Sequence, residues 1–511
     1  MIDYSIYDKL YIGCRVRTED GVFTLVDVDA GGAFICENEE EEEGGKYAIN
    51  QIKEVIQIMK DIKINIPKDV LYILEQLNKY GYESYIVGGC LRDALLGREP
   101  HDYDITTSAT PLRVMEIFED EYIIPTGLQH GTVTIMLNGV GYEVTTFRKD
   151  GEYSDGRHPD SVEFTDDIVK DLSRRDFTIN AMAYNPEVGL VDPFGGMIDI
   201  EYEKIRCVGF AKDRFEEDAL RILRAIRFAS QLEFSIMPDT DWEIHEQYKN
   251  LEKISIERIN SEFCKIVMAN DFPCELVLYV DVFEFIIPEL HDVIECKQNN
   301  PYHIYDVFEH TIHAVEYCDS NDLITRLAVF FHDFGKPQCK VTDENGIDHF
   351  KGHGKAGADM VDNIMRRLRF DNETREKVVE LVYYHDATFE VGEKYVKRWL
   401  NKIGEEQFRR LLEVRRADIK AQNPIYMEER LAKVDKIEAI LEDVLLDEQC
   451  FSLKDLAING NDLIELGFKP GKVIGSTLNT LLQIVIDGEV ENDKNQLIRV
   501  AKVALKLNNI K

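Results

Sequence analysis

The stretch YIVGGCLRDALLGREPHDYDITTSATP, residues 85–111, places a glycine pair and two aspartates about a dozen residues apart. Residues i and i+2 of a strand point to one side, so Asp102 and Asp104 project two carboxylates together. Two such groups repel unless a cation neutralises them. Mg²⁺ suits the task, because it takes one or two carboxylates and fills its shell with substrate phosphate oxygens. Gly88 and Gly89 let the backbone approach a phosphate without a Cβ in the way, and successive N–H groups form an anion nest. Arg92 follows close enough to grip a triphosphate. The order strand, Gly-Gly, helix, Asp-x-Asp therefore reads as a phosphate cradle beside a metal site. Either element alone would read as a turn or as surface acids.

Three further groups fit the same chemistry. Glu143, in YEVTTFR, stands on a strand expected to flank the Asp-x-Asp strand, as a third carboxylate able to help deprotonate an attacking hydroxyl; the bland alternative is an exposed strand glutamate. RRDFTINAM supplies Arg174 and Arg175 for a triphosphate and Asp176 and Asn180 for a ribose, against the alternative of a structural Arg–Asp pair. In EEDALRILRAIRFA, Asp218 and Arg221 are spaced i, i+3 and are expected on one helix face. An acceptor beside a donor would accept cytosine and adenine and reject guanine and uracil, unless the two merely form a surface salt bridge. Arg224 and Arg227 continue that stripe towards phosphates.

These motifs resemble the head of the class II tRNA nucleotidyltransferase/poly(A) polymerase family, within the polymerase-β-like superfamily. The likeness rests on GGCLRD…HDYDITTSATP, on EVTTFRKDGEYSDGRHPDSVEFTDDIVKDLSRRDFTINAMAYNP with its flexible loop and RRDFTxNA motif, on EDxxR, and on SIERINSEFCKIV. It is close over residues 65–270 and returns in LAINGNDLIELGFKPGKVIGSTLNTLL; His158 stands where many members have Arg. The resemblance implies template-independent addition or repair of CCA at tRNA 3′ ends from CTP and ATP. Asp102 and Asp104 would hold Mg²⁺ for in-line displacement at the α-phosphate, and protein side chains would select the nucleotide. The near alternatives are a poly(A) polymerase or an enzyme adding only CC or only A.

A second cluster lies further on. VFEHTIHAV, FFHDFGKP, FKGHGKAGADM, VYYHDATF and RRADIKAQ supply His310, His332, Asp333, His353, His385 and Asp418, with Asp386 a rival to His385. Four of these six positions are histidines, in a chain that holds only 12, so the pattern draws heavily on a scarce residue. It resembles the HD phosphohydrolase superfamily, which implies a divalent transition metal and phosphate-ester hydrolysis, the distant alternative for the whole chain. The alternative for the cluster is a body that keeps the fold while its histidines are packed or hydrogen-bonded.

The elements needed to position these groups are legible in outline. The fold class expected is α+β and multidomain. A small β-rich unit (1–60) precedes a mixed α/β head (65–206). A helical neck (207–300), an HD-type helical body (303–425) and a helical, tRNA-binding tail (426–511) follow. At 511 residues the chain is too long for one core. A net charge of −36 argues against broad non-specific nucleic-acid binding, leaving local basic clusters to hold RNA. No window approaches the roughly 18 apolar residues of a membrane span. Ten scattered cysteines without a CxxC pair, and no visible signal peptide, suit a reducing cytoplasm.

Overall fold

In the computed structural model, residues 62–100, 102–151, 162–388, 390–447 and 449–508 are described, together with the backbone of six short strands in the first 61 residues. Five of those strands form an antiparallel sheet of their own between Arg15 and Ile56. The sixth, β1 (Ile58–Met59), instead joins the sheet of the head. The sequence reading placed it within the N-terminal unit.

The head sheet comprises β1, β2 (Ser84–Val87), β3 (Asp104–Thr107), β4 (Tyr122–Gly127), β5 (Thr132–Leu137), β6 (Val140–Thr146), β7 (Ala183–Asn185) and β8 (Gly189–Val191). Their order is β1-β8-β7-β2-β3-β6-β5-β4, and β3 runs parallel to β6 and antiparallel to β2. Helix α1 (Lys68–Lys79) buries Val70, Ile73, Leu74 and Leu77, a spacing that makes one apolar stripe. It is preceded by Pro67 and ends before Gly81, whose positive φ turns the chain. The stripe packs with Ile86, Ile105, Val133, Ile135 and Val144 of the sheet. Each such side chain contributes about 2 kcal/mol on burial. A second cluster, including Tyr85, Val87, Phe147, Leu172 and Ala183, gives strands β2 and β7 a buried side away from α1.

The chain divides into two compact units, Met1–Glu262 and Phe263–Lys511, the division falling inside the segment read as neck. The second unit is helical apart from short strand pairs such as Val341–Thr342 with Asp348–His349. Phe263, Phe272, Phe283 and Phe330 meet edge to face in its core. Helix Pro424–Leu446 runs continuously across the boundary expected at 425/426.

Candidate active site and candidate metal centre

Strand β2 leads into Gly88, which adopts φ +75°, a region closed to most L side chains. A Cβ there would lie 3.4 Å from Arg175 Nη1 and 3.6 Å from Asp104 Oδ2. Gly89 opens helix α2 (Gly89–Leu95), and a Cβ on it would lie 3.8 Å from Arg92 Nη2. Asp104 begins β3, but Asp102 sits in the bend before the strand, so the two do not share a continuous strand as the spacing suggested. Register places Glu143 of β6 directly beside Asp104. In parallel pairing such neighbours face the same way. All three acidic residues are exposed, yet the Asp104 carboxyl lies close under Gly88 and Arg175. Partial burial raises its pKa, Arg175 pulls it down, and the charge of Asp102 pushes it up again. A divalent cation fits this edge, where negative charge collects at one end of the sheet.

Behind the carboxylates lies a residue that sequence reasoning passed over. Asp171, in helix α3 (Ile168–Ser173), is fully buried. Its Oδ1 accepts from Arg174 Nε and Nη2 at 3.0 and 2.8 Å, and its Oδ2 accepts from Arg175 Nη2 at 3.3 Å. The backbone N–H of Arg148 adds a contact at 3.2 Å. Burial would raise this carboxyl, but the two guanidiniums hold it below its ordinary value. Its position three and four residues before the arginines, on a helix, was the available signal.

The remaining head residues form a second chain of contacts. Arg92 is buried, with Nη1 donating to Asn180 Oδ1 at 2.9 Å and Nη2 to Asp93 at 2.7 Å. Asn180 donates to Asp176 Oδ1 at 3.2 Å, and Arg224 Nε donates to Asp176 Oδ2 at 2.8 Å. Burial opposes ionisation of Asp176, but Arg224 overcomes it and holds the carboxyl well below the usual range. Arg92, Arg224 and Arg227 all lie over the Phe228 ring.

Two expectations for the nucleotide-selecting motif change. EEDALRILRAIRFA is not one helix. It breaks between α4 (Ala211–Glu217) and α5 (Leu220–Leu232), with Asp218 in extended backbone. Asp218 therefore accepts from Arg258 Nη2 at 2.7 Å rather than pairing along a helix face. Arg221 donates to Glu217 at 2.6 Å and to the Arg174 carbonyl at 2.9 Å. Arg227, expected to reach phosphates, is buried against Glu262 at 2.8 Å, and burial followed by Arg224 lowers it to about 10. The loop around His158 lies outside the described residues.

In the second unit, helix ends assemble the histidines. His310 lies on α6 (Val307–Glu316). His332 closes α7 (Leu323–Phe331), His353 opens α8 (His353–Arg367), and His385 closes α9 (Asn372–Tyr384). Asp418 comes from the long helix α10 (Glu393–Lys420). Each Nδ1 faces a backbone carbonyl: Ala421 at 3.2 Å from His310, Val329 at 2.6 Å from His332, Phe350 at 2.8 Å from His353 and Val382 at 2.7 Å from His385. A carbonyl only accepts, so each Nδ1 carries the proton and each Nε2 keeps its lone pair. The four lone pairs converge, with Nε2 of His310 3.1 Å from that of His332, and Nε2 of His353 3.0 Å from that of His385. Asp333 divides between the pairs. Its Oδ2 lies 3.4 and 3.2 Å from the first two Nε2 atoms, and its Oδ1 lies 3.5 Å from each of the others.

Lone pair against lone pair is repulsive unless a cation or proton lies between, so this donor set, with Asp333 shared by the two histidine pairs, fits a divalent metal. Asp418 Oδ1 lies 3.2 Å from His310 Nε2 and joins the first pair. Asp386 is largely exposed, and its nearest approach to His353 is 3.9 Å, so His385 takes the place for which it was a rival. Burial opposes ionisation of Asp333, and the ammonium of Lys336 beside it acts in the opposite direction. Lys336 was missed in the sequence; its Nζ lies 2.5 Å from Asp333 Oδ2 and 2.7 Å from Gln298 Oε1. The centre opens into a cavity of about 790 Å³ whose walls include Asp333, His353, His385 and Asp418.

The head and the C-terminal helices each match a known family. Residues 84–206 match the family model described as the poly A polymerase head domain, and residues 355–501 match that of tRNA nucleotidyltransferase domain 2. A CCA-adding enzyme of Latilactobacillus sakei is 34% identical over 435 residues, covering 85% of this chain and 97% of the relative. The chain belongs to the CCA-adding enzyme family. A second CCA-adding enzyme, from Lactobacillus johnsonii, is 49% identical over 199 residues, 39% of this chain and 50% of the relative. Among solved structures, the CCA-adding enzyme of Bacillus stearothermophilus in complex with CTP is 27% identical, with a TM-score of 0.63, covering 86% of this chain and 98% of that one. No helix among the described residues is long and apolar enough to cross a membrane.

Proposed function

We propose that this protein adds or repairs CCA at tRNA 3′ ends, using CTP and ATP, in the cytoplasm. The observation that carries the reading is the edge formed by Asp102, Asp104 and Glu143, set beside two arginines fixed on buried Asp171, in a chain of this family. Asp102 and Asp104 would hold Mg²⁺, which would supply positive charge for the triphosphate and the departing pyrophosphate. Gly88 and Gly89 bring backbone close to the phosphates, and Arg174 and Arg175 present their guanidiniums to them. Glu143 receives the proton of the RNA 3′-hydroxyl. Asp218 accepts from the exocyclic amino group of cytosine or adenine while Arg221 donates to the ring acceptor. Arg258 and Glu217 hold the two in place.

Extension of a tRNA lacking CCA tests this directly. With CTP and ATP, two C residues and one A are incorporated and extension stops. A long A tract would indicate a poly(A) polymerase, and arrest after CC a CC-adding enzyme. Asp218→Ala relaxes exclusion of GTP and UTP by about tenfold or more, since rejection depends on polar groups left unpaired.

The convergence of four Nε2 atoms favours a second reading for the body, a metal-dependent phosphohydrolase. A divalent transition metal held there would supply Lewis acidity for phosphate-ester cleavage. The histidines, Asp333 and Asp418 hold it, and Lys336 fixes one oxygen of Asp333.

A further inference from the structure

The cavity before the histidine cluster is much larger than a phosphate group requires, and its outer wall is aromatic. Tyr302 and Tyr426 line it with ring centroids 5.0 Å apart, and both are solvent-exposed, at 51% and 38%. Neither ring belongs to a buried core. The guanidinium of Arg430 lies 5.9 Å from the centroid of the Tyr302 ring. These rings are held in place by backbone contacts. Asn423 donates from its N–H to the Tyr302 carbonyl at 2.9 Å and from Nδ2 to the Pro301 carbonyl at 3.0 Å, while Asn300 Oδ1 accepts from the Tyr302 N–H at 3.0 Å. Tyr426 stands in the first turn of Pro424–Leu446, the helix that Asn423 caps.

The wall is also tied to the metal centre. Arg430 donates to Gln422, and Gln422 Nε2 donates to Asp418 Oδ1 at 2.6 Å. Lys351 and Lys433 add positive charge to the same cavity. Exposed rings on a fixed frame, a guanidinium over one of them, and cations near a cluster fit for phosphate chemistry are what a base and its phosphate would engage together.

We propose that Tyr302, Tyr426 and Arg430 form a base-stacking platform at the mouth of the body cavity, so that the site takes phosphate esters of nucleosides, free or at an RNA end, in preference to small phosphate esters. This rests on the phosphohydrolase reading of the body. The phosphate meets the histidine cluster and the lysines, while the base lies against the tyrosine rings.

The test uses the full chain carrying Asp104→Ala, so that the head does not consume nucleotide, loaded with Mn²⁺. Hydrolysis of adenosine 3′-monophosphate, of a tRNA ending in a 3′-phosphate and of glycerol 2-phosphate is measured, with retention of adenosine 3′-monophosphate by equilibrium dialysis alongside. In Tyr302→Ala and Tyr426→Ala, the kcat/KM ratio of the nucleotide to glycerol phosphate falls about tenfold, through KM, and retention weakens in parallel. Tyr426→Phe, which keeps the ring, restores both. Preference for tRNA over the free nucleotide identifies an RNA end as the source; the reverse identifies a mononucleotide. If both small substrates are cleaved and the ratio and retention are unmoved in the alanine variants, the platform is wrong and the phosphohydrolase reading stands. If nothing is cleaved, that reading fails, and retention alone decides: loss in the alanine variants keeps the platform as a nucleotide site, and no change overturns it.

Discussion

The head offers its carboxylates at an exposed sheet edge, whereas the body buries its donors among five helices. Asp102, Asp104 and Glu143 face solvent, while His310, His332, Asp333 and His385 are at most 2% exposed. In the head, the ordered part is the cationic half: Asp171 fixes Arg174 and Arg175, and Asp176 fixes Arg224. In the body the ordered part is the ligand set itself, each imidazole oriented by a backbone carbonyl. An exposed oxygen site suits a cation that arrives and leaves with a triphosphate. A buried nitrogen-rich site with fixed tautomers suits a resident metal. The two regions thus prepare opposite partners in advance, the anion's in one and the metal's in the other.

The largest effects come from removing what each site cannot replace. Asp104→Ala lowers CCA incorporation by about 10³-fold, the upper range for deleting one electrostatic stabiliser. Metal bound by the body, measured by elemental analysis, stays the same. His332→Ala does the reverse, losing about 10- to 100-fold in body metal affinity or more while incorporation remains. If either substitution disabled both properties, the division of labour would be wrong. Asp171→Asn comes next. It leaves two guanidiniums beside a neutral group and costs about 3 kcal/mol of head stability, as for a broken buried ion pair. It also raises KM for CTP more than it lowers kcat, because the arginines lose their aim while the carboxylates stay.

The two sites also differ in how far the sequence discloses them. Asp102, Asp104 and the glycine pair are close along the chain, so residue type and spacing nearly suffice. The partner relations do not follow from spacing. Asp218 looked helical because its neighbours favour helix, but its extended backbone is supported by Arg258, 40 residues on. Arg227 read as one more stripe arginine until Glu262 closed over it. Asp171 hid among other acids, since only burial distinguishes it. In the body, the histidines announce themselves by scarcity. The carbonyls that set their tautomers have no side-chain signature, and Lys336 and Tyr302 become meaningful only when the helices close around one cavity.

A smaller effect separates ionic from backbone support. Asp176 is held below the ordinary carboxylate range by Arg224 despite its burial. An aspartate in the unfolded chain titrates near about 3.9. The stability from this pair is therefore complete above that value and is lost as pH falls through it towards the folded-state value. Asp176→Asn should cost about 2 kcal/mol at neutral pH, as for a lost hydrogen bond to a charged group. The deficit should shrink on acidification, as the parent protein loses the same contribution. Urea midpoints of parent and variant at pH 7 and near pH 3 check this. A deficit that stayed constant would mean that Asp176 acts through its hydrogen bonds to Asn180 and the Phe177 N–H, as the body histidines act through their carbonyls, and the contrast between the regions would narrow to burial alone.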